Sequence, residues 1–370
     1  MLMIFLYAMF AIVSFIVAKI QYKPLKIEKE RTILSFIKGG QLSLFSIILL
    51  GLFAVVINMY YTHITMNQMA SDRLNYEYDF SRDLIAATAG LTYIFNIVNK
   101  HGGNFEDVLY LTTFVSIVGF LLSYKISKIS TPLGLLFCFC TPCLLTSFIA
   151  LKQTYANAFA SVAIVLMMRN KSWGNELLIL LFLWLACQFH PVAFLMIPIY
   201  ILFRFFINDE KKYNLSSVLI VVLLVMVCLG GLLTVIAKLI APVLPYLASK
   251  LLQYFEGGED QTAESGWIVM IKGIYIYYIS YYLMKYRHYI QSNMRFYNQM
   301  LILSLIISVC YLISPFYYWL PRTSSLLEFP LLLYWVKCLQ FLPKGEQMKY
   351  VSLFLIGFFT FRTLMIIFIK

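Results

Sequence analysis

The sequence predicts an all-α, polytopic membrane protein with about twelve transmembrane helices, where a full span takes roughly 20 apolar residues. Three observations carry that expectation. Hydrophobic residues make up 61% of the chain and charged residues only 12%, outside the range of soluble globular domains. Apolar runs of near-membrane length recur from end to end. The Lys and Arg residues, 29 against 17 acids, are spread over the short loops between those runs, as the positive-inside rule requires. The same spread excludes a nucleic-acid reading of the net charge of +12, because no basic patch forms.

The first apolar segment, residues 1–18, begins at Met1 with no basic stretch before it and no small-residue cleavage site near Ala18. It reads as a retained span, not a signal peptide. The loop after it carries Lys19, Lys23, Lys26, Lys29, Arg31 and Lys38, which places it in the cytoplasm and the N-terminus outside. Residues 41–60 return outward. Residues 61–107 then form the first large external loop, with Asp72, Glu77, Asp79 and Asp83 among aromatics. Within it, residues 84–98 are apolar but short and carry Thr88, Thr92 and Asn96; they predict an interfacial or re-entrant helix. Spans follow at 108–123 (inward), 133–150 (outward) and 155–168 (inward). Residues 176–189 and 192–206 pair as a hairpin, and 216–237 runs outward. A second large external loop, 238–266, contains a Pro-led surface helix and the acidic tip EGGEDQTAESG. Residues 267–284 run inward, 300–314 outward, 326–336 inward and 351–369 outward. Most of the Lys and Arg fall on the assigned cytoplasmic side, and most acids, Glu328 included, on the external side. The whole of 1–370 reads as one integral-membrane domain.

The seven Cys include Cys138, Cys140 and Cys143. No His, Asp or Glu stands beside that cluster to complete a metal site, so it reads as packing.

Two polar tips stand out, Lys152-Gln153 and His190-Pro191. A helix over 176–190 rises roughly 22 Å at 1.5 Å per residue, short of a core of roughly 30 Å. Both flanks are basic, so the pair folds back with His190 at the turn. Pro191 disfavours helix at the residue before it, and broken backbone at membrane depth needs protein or a wet cavity to receive it. The alternative is one kinked helix with His190 bonded to a neighbour. Lys152 either snorkels to headgroups or meets a phosphate as a point charge. Arg322 follows a Pro-bounded aromatic stretch, 315–321, read as a constrained external loop; its guanidinium suits bidentate phosphate binding. Asp72 is a carboxylate able to take a proton from a hydroxyl. Tyr76, Tyr318 and Trp319 are candidate sugar contacts. Lys272 either snorkels or adds a cation to the cavity. Cations beside an acid or base are what transfer from a diphosphate leaving group requires. No metal-binding acidic pair or nucleotide loop is evident, so the expected reaction needs neither metal nor cofactor.

The stretch LKQTYANAFASVAIVL, followed by LWLACQFHPVAFLMIPIYIL, resembles the central motif of EpsG-like proteins among the Wzy-type polysaccharide polymerases. SDRLNYEYDF resembles the family's first external loop, KHGGNF its Gly-Asn turn, and PFYYWLPRTSSLLEF its late Arg segment. Lys152 departs from the pattern, which usually has Arg there. The resemblance implies a bundle similar to the membrane glycosyltransferases that use lipid-linked sugars (GT-C-like). It implies a polymerase in the bacterial cytoplasmic membrane, moving a growing glycan from undecaprenyl diphosphate onto a lipid-linked repeat unit on the external side. Lys152, Gln153 and Arg322 would hold diphosphate, and His190 or Asp72 would act as base. The expected partners are the lipid-linked donor and acceptor, the bilayer, a chain-length regulator and a flippase. Open alternatives are a flippase or exporter of the same unit, or a glycosyltransferase using a polyprenyl-phosphate sugar. A polysaccharide-decorating acyltransferase lacks its early Arg/His motif here.

Overall fold

In the computed structural model the described residues are 71–82, 88–127, 150–169, 171–207, 238–239, 241–242, 266–285, 294–314 and 320–339. Their regular elements are all helical: α1 (Ser71–Ser81), α2 (Ala89–Lys100), α3 (Phe105–Ser127), α4 (Leu151–Met167), α5 (Trp173–Phe189), a 3-10 turn (Pro191–Leu195), α6 (Met196–Ile201), a π turn (Leu202–Phe206), α7 (Gly266–Lys285), α8 (Met294–Leu312) and α9 (Leu320–Leu339). The expected spans at 1–18, 41–60, 216–237 and 351–369, and all of 133–150 but Ala150, lie outside the described residues, as do the Cys138 cluster and the 238–266 loop apart from five residues. Among the described residues α3, at 23 residues, is the one helix both long and apolar enough to cross a membrane. The segments Trp173–Phe189, Pro191–Phe206 and Asn298–Leu312 are apolar but shorter.

The central helix is α4. Its run of Ala156, Ala158, Ala160 and Ala163 is fully buried, and α3, α5 and α9 pack around it. Small side chains let helices approach where lipid tails supply no hydrophobic drive between them. At Gly119 of α3 the approach is close: a Cβ there would lie 2.8 Å from the Ala158 Cβ, so only glycine fits.

Side-chain pairs along the bundle give each helix its direction. Gln153 near the start of α4 meets Ser325 near the start of α9. Farther along, Met167 of α4 and Tyr334 of α9 both bond Gln299. Those two helices are therefore parallel. The reverse direction of α8 follows, since its early Gln299 lies at one end and its late Tyr311 meets Glu328. On α7, Lys272 joins Tyr311 and Ser280 joins Trp335, so α7 runs with α9. Thr112 and Gly119 of α3 meet Tyr155 and Ala158 in the same order. This alternation is the one the hydropathy and charge pattern predicts for these segments. The end that holds Gln153 and Ser325 is called the upper end below.

The hairpin about His190 is present. α5 runs toward the upper end, and the chain then returns until Tyr200 donates to Glu176 at 2.9 Å and Arg204 pairs with the same carboxylate at 2.9 Å. Glu176 lies in the first turn of α5, so the return segment ends where α5 began. His190 itself is extended (φ −145°, ψ 127°) and Pro191 opens the 3-10 turn, as the proline dictates.

Short α2 does not cross the bundle. Its 12 residues rise roughly 18 Å, and Leu91, Phe95 and Val98 bury one stripe against Phe80, Phe105, Val108 and Leu151. Gly90 at its start lies on Phe189 at the upper end of α5. The helix thus lies over the upper end, and Gly102 (φ 70°) makes the left-handed turn into α3 that favours glycine. Large apolar side chains face outward on α5 (Leu177, Leu180, Leu181, Trp184), α3 (Phe114, Val118, Leu122) and α7 (Ile271, Ile274). Such a belt is what a lipid-facing surface presents.

Candidate functional site

Three side chains of the first turn of α4 reach three different elements. Lys152 places Nζ 5.2 Å from the centre of the Tyr76 ring on α1. Gln153 donates from Nε2 to the Ser325 Oγ on α9. Tyr155 stacks on Phe189, with ring centroids 4.3 Å apart and planes at 16°, and so holds the end of α5 from which His190 follows. The reason is helical geometry: successive side chains are about 100° apart, so residues 152, 153 and 155 fan around the axis.

His190 is buried at 5% exposure. Its Nδ1 accepts from the Val192 N–H at 3.2 Å. An Nδ1 that accepts carries no proton, so the neutral ring carries it on Nε2. The 3-10 turn that follows packs on α9, which brings His190 toward the same helix that Gln153 reaches.

The lysine and glutamine stand in a helical turn and not in a loop tip, which corrects the expected boundary at 155. The charge interrupts the apolar run, yet the chain is already helical at Leu151. Arg322 likewise stands in the first turn of α9, three residues before Ser325, where the sequence suggests loop. Its side chain lies outside the described residues. Asp72 belongs to α1, a helix where a loop is expected; its side chain is likewise outside the described residues. Tyr76 and Phe80 anchor that helix through one buried stripe. Tyr318 and Trp319 lie outside the described residues altogether. The structure thus brings together Lys152, Gln153, Tyr76, the His190 turn and the α9 turn that carries Arg322.

A family model described as the EpsG family matches residues 52–370. The chain belongs to the EpsG family. No curated protein and no solved structure matches it. EpsG proteins are Wzy-like polysaccharide polymerases, so the chain is a membrane protein of polysaccharide biosynthesis.

This EpsG-family site holds polar groups that sequence reasoning did not single out. Asn157 follows Gln153 by one turn and is 2% exposed, and among the described residues no hydrogen bond reaches its amide oxygen or nitrogen. Thr154 Oγ1 is in the same position. A buried amide without partners is costly and suits a polar ligand or water. The signal available in the sequence was a lone Asn in a helix otherwise built of small apolar residues. Glu328 also departs from the expectation. It was expected among the external acids, but it is 4% exposed within α9, where it pairs with Lys272 of α7 and accepts from the Tyr311 hydroxyl of α8.

Proposed function

We propose that this protein polymerises surface polysaccharide by moving a growing glycan from its undecaprenyl diphosphate onto a sugar hydroxyl of another lipid-linked repeat unit, on the external side of the bacterial cytoplasmic membrane. The observation that carries the reading is the first turn of α4, whose residues tie α1, α5 and α9 to one point. Helix N-termini favour anions, and Lys152 adds a positive charge there. Arg322, one turn from Ser325, is the second cation for diphosphate. Gln153, which bonds Ser325, is the amide assigned to the diphosphate in this reading.

The tautomer favours one of the two roles open to His190. His190, whose Nδ1 accepts from the Val192 N–H, is assigned here to bonding the leaving phosphate. The base is then a carboxylate, and Asp72 on α1 is the candidate from the sequence. Tyr76, beside Lys152, is the proposed sugar contact, and Tyr318 and Trp319 are the further candidates from the sequence. The reaction forms a bond from the acceptor oxygen to the donor anomeric carbon and breaks the bond from that carbon to the diphosphate oxygen. Cations at the diphosphate stabilise the departing charge.

Deletion of the gene tests the reading, with surface polysaccharide resolved by size. The expected result is loss of the ladder with a single repeat unit retained at the surface, restored by the wild-type gene. No unit at the surface would indicate a flippase or exporter. Full-length chains of altered mass per repeat would indicate a decorating transferase.

A further inference from the structure

The cluster of Lys272, Tyr311 and Glu328 is not used by the mechanism above. Its three members come from three helices, α7, α8 and α9. Lys272 donates to the Tyr311 hydroxyl at 2.9 Å and lies 4.6 Å from the centre of its ring. Both the lysine and the tyrosine hydroxyl engage the same carboxylate oxygen, Glu328 Oε1. Glu328 also lines a cleft with Ile276, Leu331, Leu332 and Trp335, so a charged group stands at the head of an apolar recess. It follows Ser325 by three residues, roughly 4.5 Å along the helix axis, and Ser325 is the residue that Gln153 reaches.

An ion pair at this depth is poor stabilisation: apolar residues of the same volume usually serve as well. Ionisable groups inside a membrane bundle mark the path of a substrate or proton. With Oε1 held from two sides by Lys272 and Tyr311, the carboxylate is fixed in orientation beside the cleft.

We propose that Glu328, in place of the Asp72 expected from the sequence, is the base of the transfer, positioned by Lys272 and Tyr311. The acceptor sugar O–H gives its proton to Glu328 Oε2. The acceptor oxygen bonds the donor anomeric carbon, and the electron pair of the broken bond leaves on the diphosphate oxygen. Lys272 holds the carboxylate in place as that proton arrives. This inference rests on the polymerase reading and names the proton acceptor within it.

The test uses the purified full-length protein in liposomes, with lipid-linked repeat units extracted from a strain lacking the gene. Initial rates are measured for wild type, Glu328→Gln, Lys272→Met and the double variant. General-base catalysis is worth about 10²–10⁴ in rate. Glu328→Gln should therefore fall at least about 100-fold, with its dependence on donor concentration unchanged. The double variant, which leaves no buried charge unpaired, should fall as far. A merely structural pair predicts the opposite, and a double variant that recovers wild-type rate overturns the proposal. Treating the wild type with a hydrophobic carbodiimide needs no variant: labelling at Glu328 should stop chain growth, and a labelled protein that still polymerises overturns it. If wild type makes no chains, the polymerase reading fails and this proposal with it. If wild type makes chains and Glu328→Gln keeps a similar rate, only the role of Glu328 fails.

Discussion

Lys152, Gln153 and Asn157 show how one helix face changes character over a single turn. The first two meet partners on other helices, Tyr76 and Ser325. Asn157 has none among the described residues, although it is buried. Replacing an unpartnered buried polar group by an apolar one of like volume is neutral or stabilising. Asn157→Leu is therefore expected to raise the melting temperature of the purified protein by a few degrees while lowering chain synthesis, the trade-off found where a site tolerates a destabilising residue for function. Thermal unfolding in detergent and the polysaccharide ladder read the two effects separately. A variant that melts lower would show that the amide is satisfied in the protein. Residue identity made Lys152 and His190 legible in the sequence, because a charge or an imidazole stands out in an apolar run. Asn157 and Glu328 were less legible. An amide attracts no notice beside small residues, and the partners of Glu328 lie on two other helices.

At the scale of the element, α4 is held at both ends. Its upper turn carries the site, and its lower end is closed by Arg204. That guanidinium donates to the carbonyls of Met167 (3.2 Å), Arg169 (3.0 Å) and Leu166 (3.4 Å) and pairs with Glu176. The last carbonyls of a helix have no partners within it, and a cation there also complements the helix dipole. Gln299 bonds Met167 as well. Arg204→Met leaves these carbonyls and Glu176 without their cation, and breaking one side of a buried pair costs about 3–5 kcal/mol. Arg204→Met should unfold at lower denaturant concentration, and Arg204→Met with Glu176→Leu should recover part of the loss. Equal stability of wild type and the single variant would mean the cap contributes little. The sequence presents Arg204 as one more basic flank. It does mark the end of the hairpin that the flank predicts, yet the residue is buried, at 2% exposure, because the return segment brings it under α4. Helix starts were the least legible feature. Hydropathy follows the membrane and not the helix, so α4 and α9 begin several residues before their apolar runs, and α1 forms in a stretch that reads as polar loop.

At the scale of the whole molecule, the alternation of helix directions was legible because charge and apolar length repeat along the chain, and the side-chain pairs from α3 to α9 follow it. The break at His190 was legible because proline dictates it locally. What joins the parts was not: Gln153 with Ser325, or Lys272 with Glu328, are contacts between distant segments that no local pattern encodes. We propose that these contacts make the upper end of the bundle one site, which lengthens lipid-linked glycan. The most direct measurement is chain growth by the purified protein in liposomes supplied only with lipid-linked repeat units, run for wild type, Lys152→Ala and Lys152→Arg. A ladder is expected from wild type and from Lys152→Arg. Lys152→Ala should give initial rates roughly ten- to a hundredfold lower, the loss expected for one charged hydrogen bond of about 1.5–3 kcal/mol. A ladder from Lys152→Ala equal to that of wild type would contradict the site, and single units alone from the folded wild type would contradict the function.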